Sequence, residues 1–294
     1  MQVIIPSKGR DKTISTHLIF QDCPDAQVTV LVHNKDELED YMQNLSVAEQ
    51  LLVTDVKADA YGLTRQREWA VNHLVEPGEW FVFADDDIRR IECLPEPWYS
   101  EDTLELPFKG SPLWRARYRT TCTGDRFIQE IVPDMIELAK DIGAHLCGFA
   151  TTDNYYFRSV HWRTVGYVKG GLMVLQNCGV PYNHSITMED FRYTAEHLLR
   201  YGKILINNYA RANAGEYRPG GMGTYDARIV RRWRDCRALI SRYPGLFRVK
   251  NLKYAIPNTD VGLRTYNEER IEKWRQTMRK PLKNRQKTPI VKEY

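Results

Sequence analysis

Three carboxylates in a row, Asp85-Asp86-Asp87, follow directly on the apolar run Trp80-Phe81-Val82-Phe83-Ala84. Grouping them costs repulsion and desolvation unless a cation compensates, and their hard oxygens suit Mg²⁺ or Mn²⁺ that also holds a diphosphate. Alternate residues of an extended segment point to the same side, so the expected ligands are Asp87, mainly, and Asp85, with Asp86 facing away. A polar turn or helix cap is the plainer use of such residues; their place at the end of a strand-like run favours the metal. Three further segments carry chemistry. Ile4-Ile5-Pro6-Ser7-Lys8-Gly9-Arg10 sets exposed backbone amides and Arg10 just after a first strand, where a nucleotide could be met, although Pro-Ser-x-Gly alone is only a turn. Tyr61-Gly62-Leu63-Thr64-Arg65-Gln66-Arg67 opens a helix with two arginines near its N-terminus, which favours a phosphate or a uracil carbonyl, or leaves them solvated. Thr187-Met188-Glu189-Asp190 precedes the helical spacing Phe191, Ala195, Leu198, Leu199, and its acids either cap that helix or supply a general base, Asp190 first and Glu189 as rival. His184 reads as a polar loop residue.

The elements that must position these groups alternate. Val3–Ile5, Val28–Val32, Leu51–Val53 and Trp80–Ala84 read as strands, with helices over Asp36–Leu45 and from about Leu63 to Leu74, and a turn at Glu76-Pro77-Gly78-Glu79. This β-α-β-α-β order predicts an α/β fold with a mainly parallel sheet flanked by helices, whose ligands bind beyond the carboxyl ends of the strands.

At 294 residues, 43% hydrophobic and 27% charged, the chain is long enough for one sizeable core with appended elements. No run approaches the length of a membrane helix and no signal-peptide pattern is visible, which predicts a cytoplasmic protein. The six cysteines form no CxxC pair and read as reduced thiols rather than a disulfide framework or zinc site. Charge is unevenly spread. Residues 228–294 hold 19 Lys or Arg against 6 Asp or Glu, whereas the preceding residues hold 23 against 32. With Trp233, Tyr243, Phe247, Tyr254 and Trp274 interleaved, that end suits a polyanion with stackable bases, or else is a solvated helix face followed by a disordered end. The expected organisation is a catalytic domain over 1–215 and a basic, mostly helical extension over 216–294.

Taken together, strand-Pro-Ser-x-Gly-Arg, then Gly62-x-x-x-x-Arg67, then strand-Asp85-Asp86-Asp87 resembles the family 2 glycosyltransferases and their relatives with the GT-A, Rossmann-like fold. The resemblance implies that Pro6, Ser7, Arg10, Arg67 and Asp85 contact a UDP-sugar, that Asp87 and Asp85 hold Mn²⁺ or Mg²⁺, and that the Glu189-Asp190 pair supplies the base of an inverting displacement. Glu68 stands where the family usually has Asn, which leaves the helix register open. Ile4-Pro6-Ser7, Asp85–Ile88, Glu189-Asp190 and Gly220-Gly221-Met222-Gly223 before an arginine-rich helix are similar to the TET-associated glycosyltransferases of phages, relatives of the base J glucosyltransferase. That implies an acceptor of DNA carrying a 5-hydroxymethylpyrimidine, either hydroxymethylcytosine or hydroxymethyluracil. Such a base must be flipped or reached deep in the major groove, with Trp114–Arg119 and Asn154–Arg158 as candidates to hold it, unless they are ordinary half-exposed strands. Two other readings are a GT-A enzyme acting on protein or polysaccharide, and a metal-dependent DNA-processing protein.

Overall fold

The computed structural model describes residues 1–45, 50–57, 62–93, 120–151, 162–182, 188–214, 225–249, 261–264 and 267–280, without the side chains of 120 and 225–229. Trp114–Arg119, Asn154–Arg158, His184, Gly220–Gly223, Tyr254 and the final residues from 281 lie outside that set.

Strands β1 (Gln2–Pro6), β2 (Gln27–Val32), β3 (Gln50–Val53) and β4 (Trp80–Ala84) form the parallel half of an eight-stranded sheet. The other half consists of β7 (Leu146–Phe149), β8 (Trp162–Arg163), β9 (Leu172–Gln176) and β10 (Leu205–Asn207), giving the order β3-β2-β1-β4-β9-β7-β10-β8. Strand β9 runs antiparallel to both β4 and β7, and β8 antiparallel to β10, so the sheet is mixed but mainly parallel, as the element order predicts. Its strands read as continuous apolar runs because both faces are covered. Val3, Ile5, Val82 and Ala84 enter one hydrophobic layer, while Ile4, Phe81 and Phe83 enter the other.

Helix α2 (Lys35–Asn44) starts where Asn34 accepts the Glu37 N–H, and it packs Leu38 and Tyr41 on the Val3 side. Below the same face lie the short α1 (His17–Phe20) and α4, in which Gly124–Arg126, a π-helical turn Phe127–Ile131 and Val132–Ile142 run on as one helix. Helix α3 (Gly62–His73) covers the Ile4 side with Ala70 and Val71, joined there by α5 (Glu189–Tyr201). The C-terminal elements are α6 (Tyr225–Arg242), the pair β12 (Phe247–Val249) and β13 (Val261–Leu263), and α7 (Glu268–Arg279). Cys236, Leu239, Tyr243, Phe247, Leu263, Ile271 and Trp274 belong to the same hydrophobic layer as Phe83, so one continuous core runs from the first strand to the last helix. None of the six cysteines is in a disulfide, and no helix of the described residues is long and apolar enough to cross a membrane.

A second, three-stranded sheet, β11-β5-β6, is built from β5 (Ile88–Cys93), β6 (Thr120–Cys122) and β11 (Ala210–Ala214). Strand β5 leaves the acidic triplet directly, so its pairing fixes where that triplet sits. Glu92 locks the pairing: its buried carboxylate accepts Arg211 Nε at 2.6 Å, Arg90 Nε at 2.9 Å and Asn213 Nδ2 at 3.0 Å. Burial would raise its pKa, but the donors outweigh burial and hold it at about 2. A carboxylate depressed in the fold contributes stability above its ordinary value of 4.5 and loses it as pH falls towards 2. Glu92→Gln is therefore expected to remove about 3 kcal/mol of the stability change between pH 4.5 and 2 seen in urea unfolding. A variant that parallels the parent through that window would overturn the assignment.

Candidate active site

The carboxyl end of β4, the first turns of α3 and α5, the segment before β9 and α6 meet around a cavity of about 280 Å³. Arg67, Asp85, Glu189 and Asp190, which come from three separate sequence segments, all line it.

Arg67 holds these elements together. It falls on the core stripe of α3, four residues after Leu63 and three before Ala70, and only 1% of its side chain is exposed. Its guanidinium donates to Asp85 Oδ1 at 2.7 Å, to Glu189 Oε1 at 3.0 Å and to the Gly170 carbonyl at 2.7 Å. Burial disfavours its charge, but Asp85 and Glu189 more than offset that and keep it protonated. Arg67 thus forms a buried bridge between the acidic turn and the acidic helix, while also lining the cavity. The physical reason is its position on the apolar face. Neighbouring Gln66 is likewise turned inward, donating to the carbonyls of Ser7 and Leu31.

The acidic triplet departs from the strict alternation expected of an extended segment. The chain turns at Asp86-Asp87, so a two-residue period no longer applies. Asp85 faces Arg67 and the cavity, while Asp86 and Asp87 share Arg10, whose Nη1 lies 2.5 and 3.0 Å from their carboxylates. Ser7 Oγ donates to Asp86 at 2.6 Å and also meets the Tyr41 hydroxyl at 2.6 Å. Burial pushes Asp86 up to about 6 despite Arg10 and Ser7. Pro6 ends β1 inside the core. The first loop thus grips the acidic turn through Ser7 and Arg10, rather than presenting those side chains openly.

On α5 the two acids are placed differently. The helix is preceded by Met188, which makes no side-chain cap bond, and neither carboxylate follows the usual capping pattern. Glu189 is buried against Arg67, and burial followed by Asp190 raises its pKa. Asp190 Oδ2 accepts from the Tyr167 hydroxyl and, at 3.2 Å, from the Gly170 N–H, while Oδ1 accepts from the Phe191 N–H at 2.8 Å.

Tyr167, Lys169, Gly170, Gly171, Arg231 and Arg232 also line the cavity and were not singled out from the sequence. The one legible signal was Lys169-Gly170-Gly171. A Cβ on Gly170 would stand 2.9 Å from Arg67 Nη1 and 3.2 Å from Asp190 Cβ, so only glycine lets backbone pass between those groups. Arg231 and Arg232 gave no such sign, since an arginine-rich helix does not reveal which face will meet a cavity.

A divalent cation would find one carboxylate suited to it. Asp85 is a third exposed, commits Oδ1 to Arg67, and has Oδ2 3.5 Å from where a Cβ of Gly171 would be. Among the described residues no three His, Cys, Asp or Glu side chains converge as a metal cage. A Mg²⁺ or Mn²⁺ ion held at Asp85 would therefore have to take most of its ligands from a bound substrate or from water.

Comparison with known sequences adds the decisive observation. Residues 1–110 match the TET-Associated Glycosyltransferase family. That stretch carries Ser7, Arg10, Arg67 and Asp85–Asp87, so a glycosyltransferase activity has support from sequence as well as from the cavity. The TET-associated match ends before Lys169, Glu189 and Asp190, which reach the same cavity only through the fold. No curated protein matches the chain. Among solved structures, one from Desulfovibrio desulfuricans G20, provisionally described as a nucleotide-diphospho-sugar transferase, aligns over 94% of this chain and 97% of its own at 11% identity. Its TM-score is 0.34, a likeness too slight to bear on function.

Proposed function

We propose that the protein transfers a sugar from a UDP-sugar to the hydroxyl of a 5-hydroxymethylpyrimidine in DNA, with inversion at the anomeric carbon. The observation that carries this reading is the convergence of Asp85, Arg67, Glu189 and Asp190 on one cavity beyond the end of β4. Asp190 is the base. It takes the proton of the acceptor hydroxyl as that oxygen forms its bond to the anomeric carbon, and the bond from that carbon to the diphosphate oxygen breaks with its electrons leaving on UDP. Tyr167 and the Gly170 N–H aim its carboxylate, whereas Glu189 is committed to Arg67. Lys169, Arg231 and Arg232 place positive charge where the diphosphate departs. Asp85, the triplet's one carboxylate on the cavity wall, would hold a Mn²⁺ or Mg²⁺ ion, whose chemistry would be to neutralise the leaving diphosphate.

Incubation with a panel of UDP-sugars, Mn²⁺ and DNA containing hydroxymethylcytosine, hydroxymethyluracil or neither is expected to yield a sugar-sized mass gain only on a hydroxymethylated nucleoside. Chelation is expected to lower that transfer about tenfold or more, with recovery on adding Mn²⁺. Transfer to unmodified DNA, or to protein alone, would overturn the acceptor. Cleavage of DNA without a nucleotide sugar would replace the reading with metal-dependent phosphodiester chemistry.

A further inference from the structure

Helix α6 divides its residues between two faces. Cys236, Leu239 and Tyr243 recur at helical spacing and enter the core, with Asp235 buried beside them. Val230, Trp233, Arg234 and Arg237, at i, i+3, i+4 and i+7, form the opposite stripe and are exposed. Large apolar side chains gain by burial, yet Trp233 is 44% exposed and Val230, a turn before it, 63%. The Arg237 guanidinium lies 4.8 Å from the centre of the Trp233 ring, a cation–π contact that ties the indole to a charge at the surface. No ion pair to Arg234 or Arg237 occurs among the described residues, whereas Arg242, at the end of α6, pairs with Glu196. The same helix lines the first cavity with Arg231 and Arg232, so the stripe begins beside that cavity.

We propose that this stripe is the track for the DNA strand that leaves the cavity: an unpaired base near the acceptor nucleotide stacks on Trp233, and Arg234 and Arg237 meet the phosphates that flank it. The proposal rests on the DNA-acceptor reading above and gives the strand outside the cavity a path. An aromatic face set among guanidinium groups holds single strands, because every base has a face to stack and every linkage a charge. From Val230 to Arg237 the stripe runs about 10 Å, enough for a base and its two phosphates. The charge of the region agrees with a polyanion, since residues 228–294 hold 19 Lys or Arg against 6 Asp or Glu. A second copy of this chain fits less well, because a face-to-face pair would set arginines against arginines. Stacking needs a base released from its partner, so the track takes single-stranded or locally opened DNA.

The test measures binding of a fluorescent single-stranded oligothymidylate to the full chain over a range of salt. It compares the parent with Trp233→Ala, Trp233→Phe and the double variant Arg234→Gln/Arg237→Gln. Trp233→Ala is expected to weaken binding about tenfold and to leave the slope of log affinity against log salt unchanged, because stacking releases no counterion. Trp233→Phe should restore most of the affinity. The double variant should shrink the slope by about 1.4, the value of two single-strand phosphate contacts. Melting temperatures should match the parent's, since all three side chains are exposed. Affinity and slope unchanged in both Trp233→Ala and the double variant overturn the proposal, as does a loss in Trp233→Ala that Trp233→Phe leaves unrepaired. Variants that lose self-association and keep oligonucleotide binding would give the face to a second copy and overturn it too. Sugar transfer to hydroxymethylated DNA, assayed beside the binding, separates the two readings. Transfer by a parent whose variants all bind DNA as it does removes the track and leaves the activity standing. Binding through Trp233 and the two arginines with no transfer supports the track and defeats the glycosyltransferase reading.

Discussion

Replacing Asp190 by Asn is expected to lower kcat for sugar transfer by roughly a hundredfold to ten-thousandfold, the usual worth of a positioned general base. The KM for the UDP-sugar should change little. The substitution keeps the shape and lets Oδ1 still accept from the Phe191 N–H, so α5 should begin where it does now. What is lost is the oxygen that receives the proton. Glu189 does not replace it, because Arg67 holds that carboxylate in a buried pair. The matched Glu189→Gln variant therefore serves as the comparison: its effect should fall mainly on stability and on the placement of Arg67. An Asp190→Asn enzyme within threefold of the parent, or one defective only in donor binding, would remove Asp190 from the base position.

Arg67→Met is expected to cost about 3–5 kcal/mol of stability at alkaline pH, the range found when one partner of a buried ion pair is removed and the other is left charged. Here two carboxylates, Asp85 and Glu189, lose a shared cation. The pH dependence carries the sign of the effect. Glu189 already titrates above its ordinary value, so the folded state holds a proton the unfolded chain has released, and stability falls as pH rises through that interval. Without Arg67 the interval widens upward. The variant should lie nearest the parent at acidic pH and furthest from it above neutrality. Adding Glu189→Gln to Arg67→Met should recover part of the loss, a non-additivity expected of groups in one network. Urea unfolding at several pH values checks this, and a uniform offset at all pH values would mean that Arg67 acts through packing alone.

The parallel half of the sheet was legible because its signal is local. Strands β1, β2, β3 and β4 are apolar runs between turn residues, and α2 shows Leu38, Tyr41 and Leu45 at helical spacing with acids in its first turn. Strand β5, the three-stranded sheet and the antiparallel insertion of β9 between β4 and β7 were not legible. Pairing partners far apart in the chain leave no periodicity in either segment.

By itself the sequence determined which charged groups cluster at the ends of its elements: the acidic triplet, Arg10, Arg67 and the Glu189-Asp190 pair, together with the basic C-terminal end. It also carried the match of residues 1–110 to the TET-Associated Glycosyltransferase family. Only the tertiary structure decided how those groups divide their work. Arg67 became a buried bridge because it lies on the core face of α3. Asp86 and Asp87 went to Arg10 because the chain turns after Asp85, and Asp190 was left to face the cavity because Glu189 had already taken Arg67. Charge type is a property of a residue, whereas partner and burial depend on what long-range packing brings beside it, and a buried charge takes the nearest opposite charge that packing supplies.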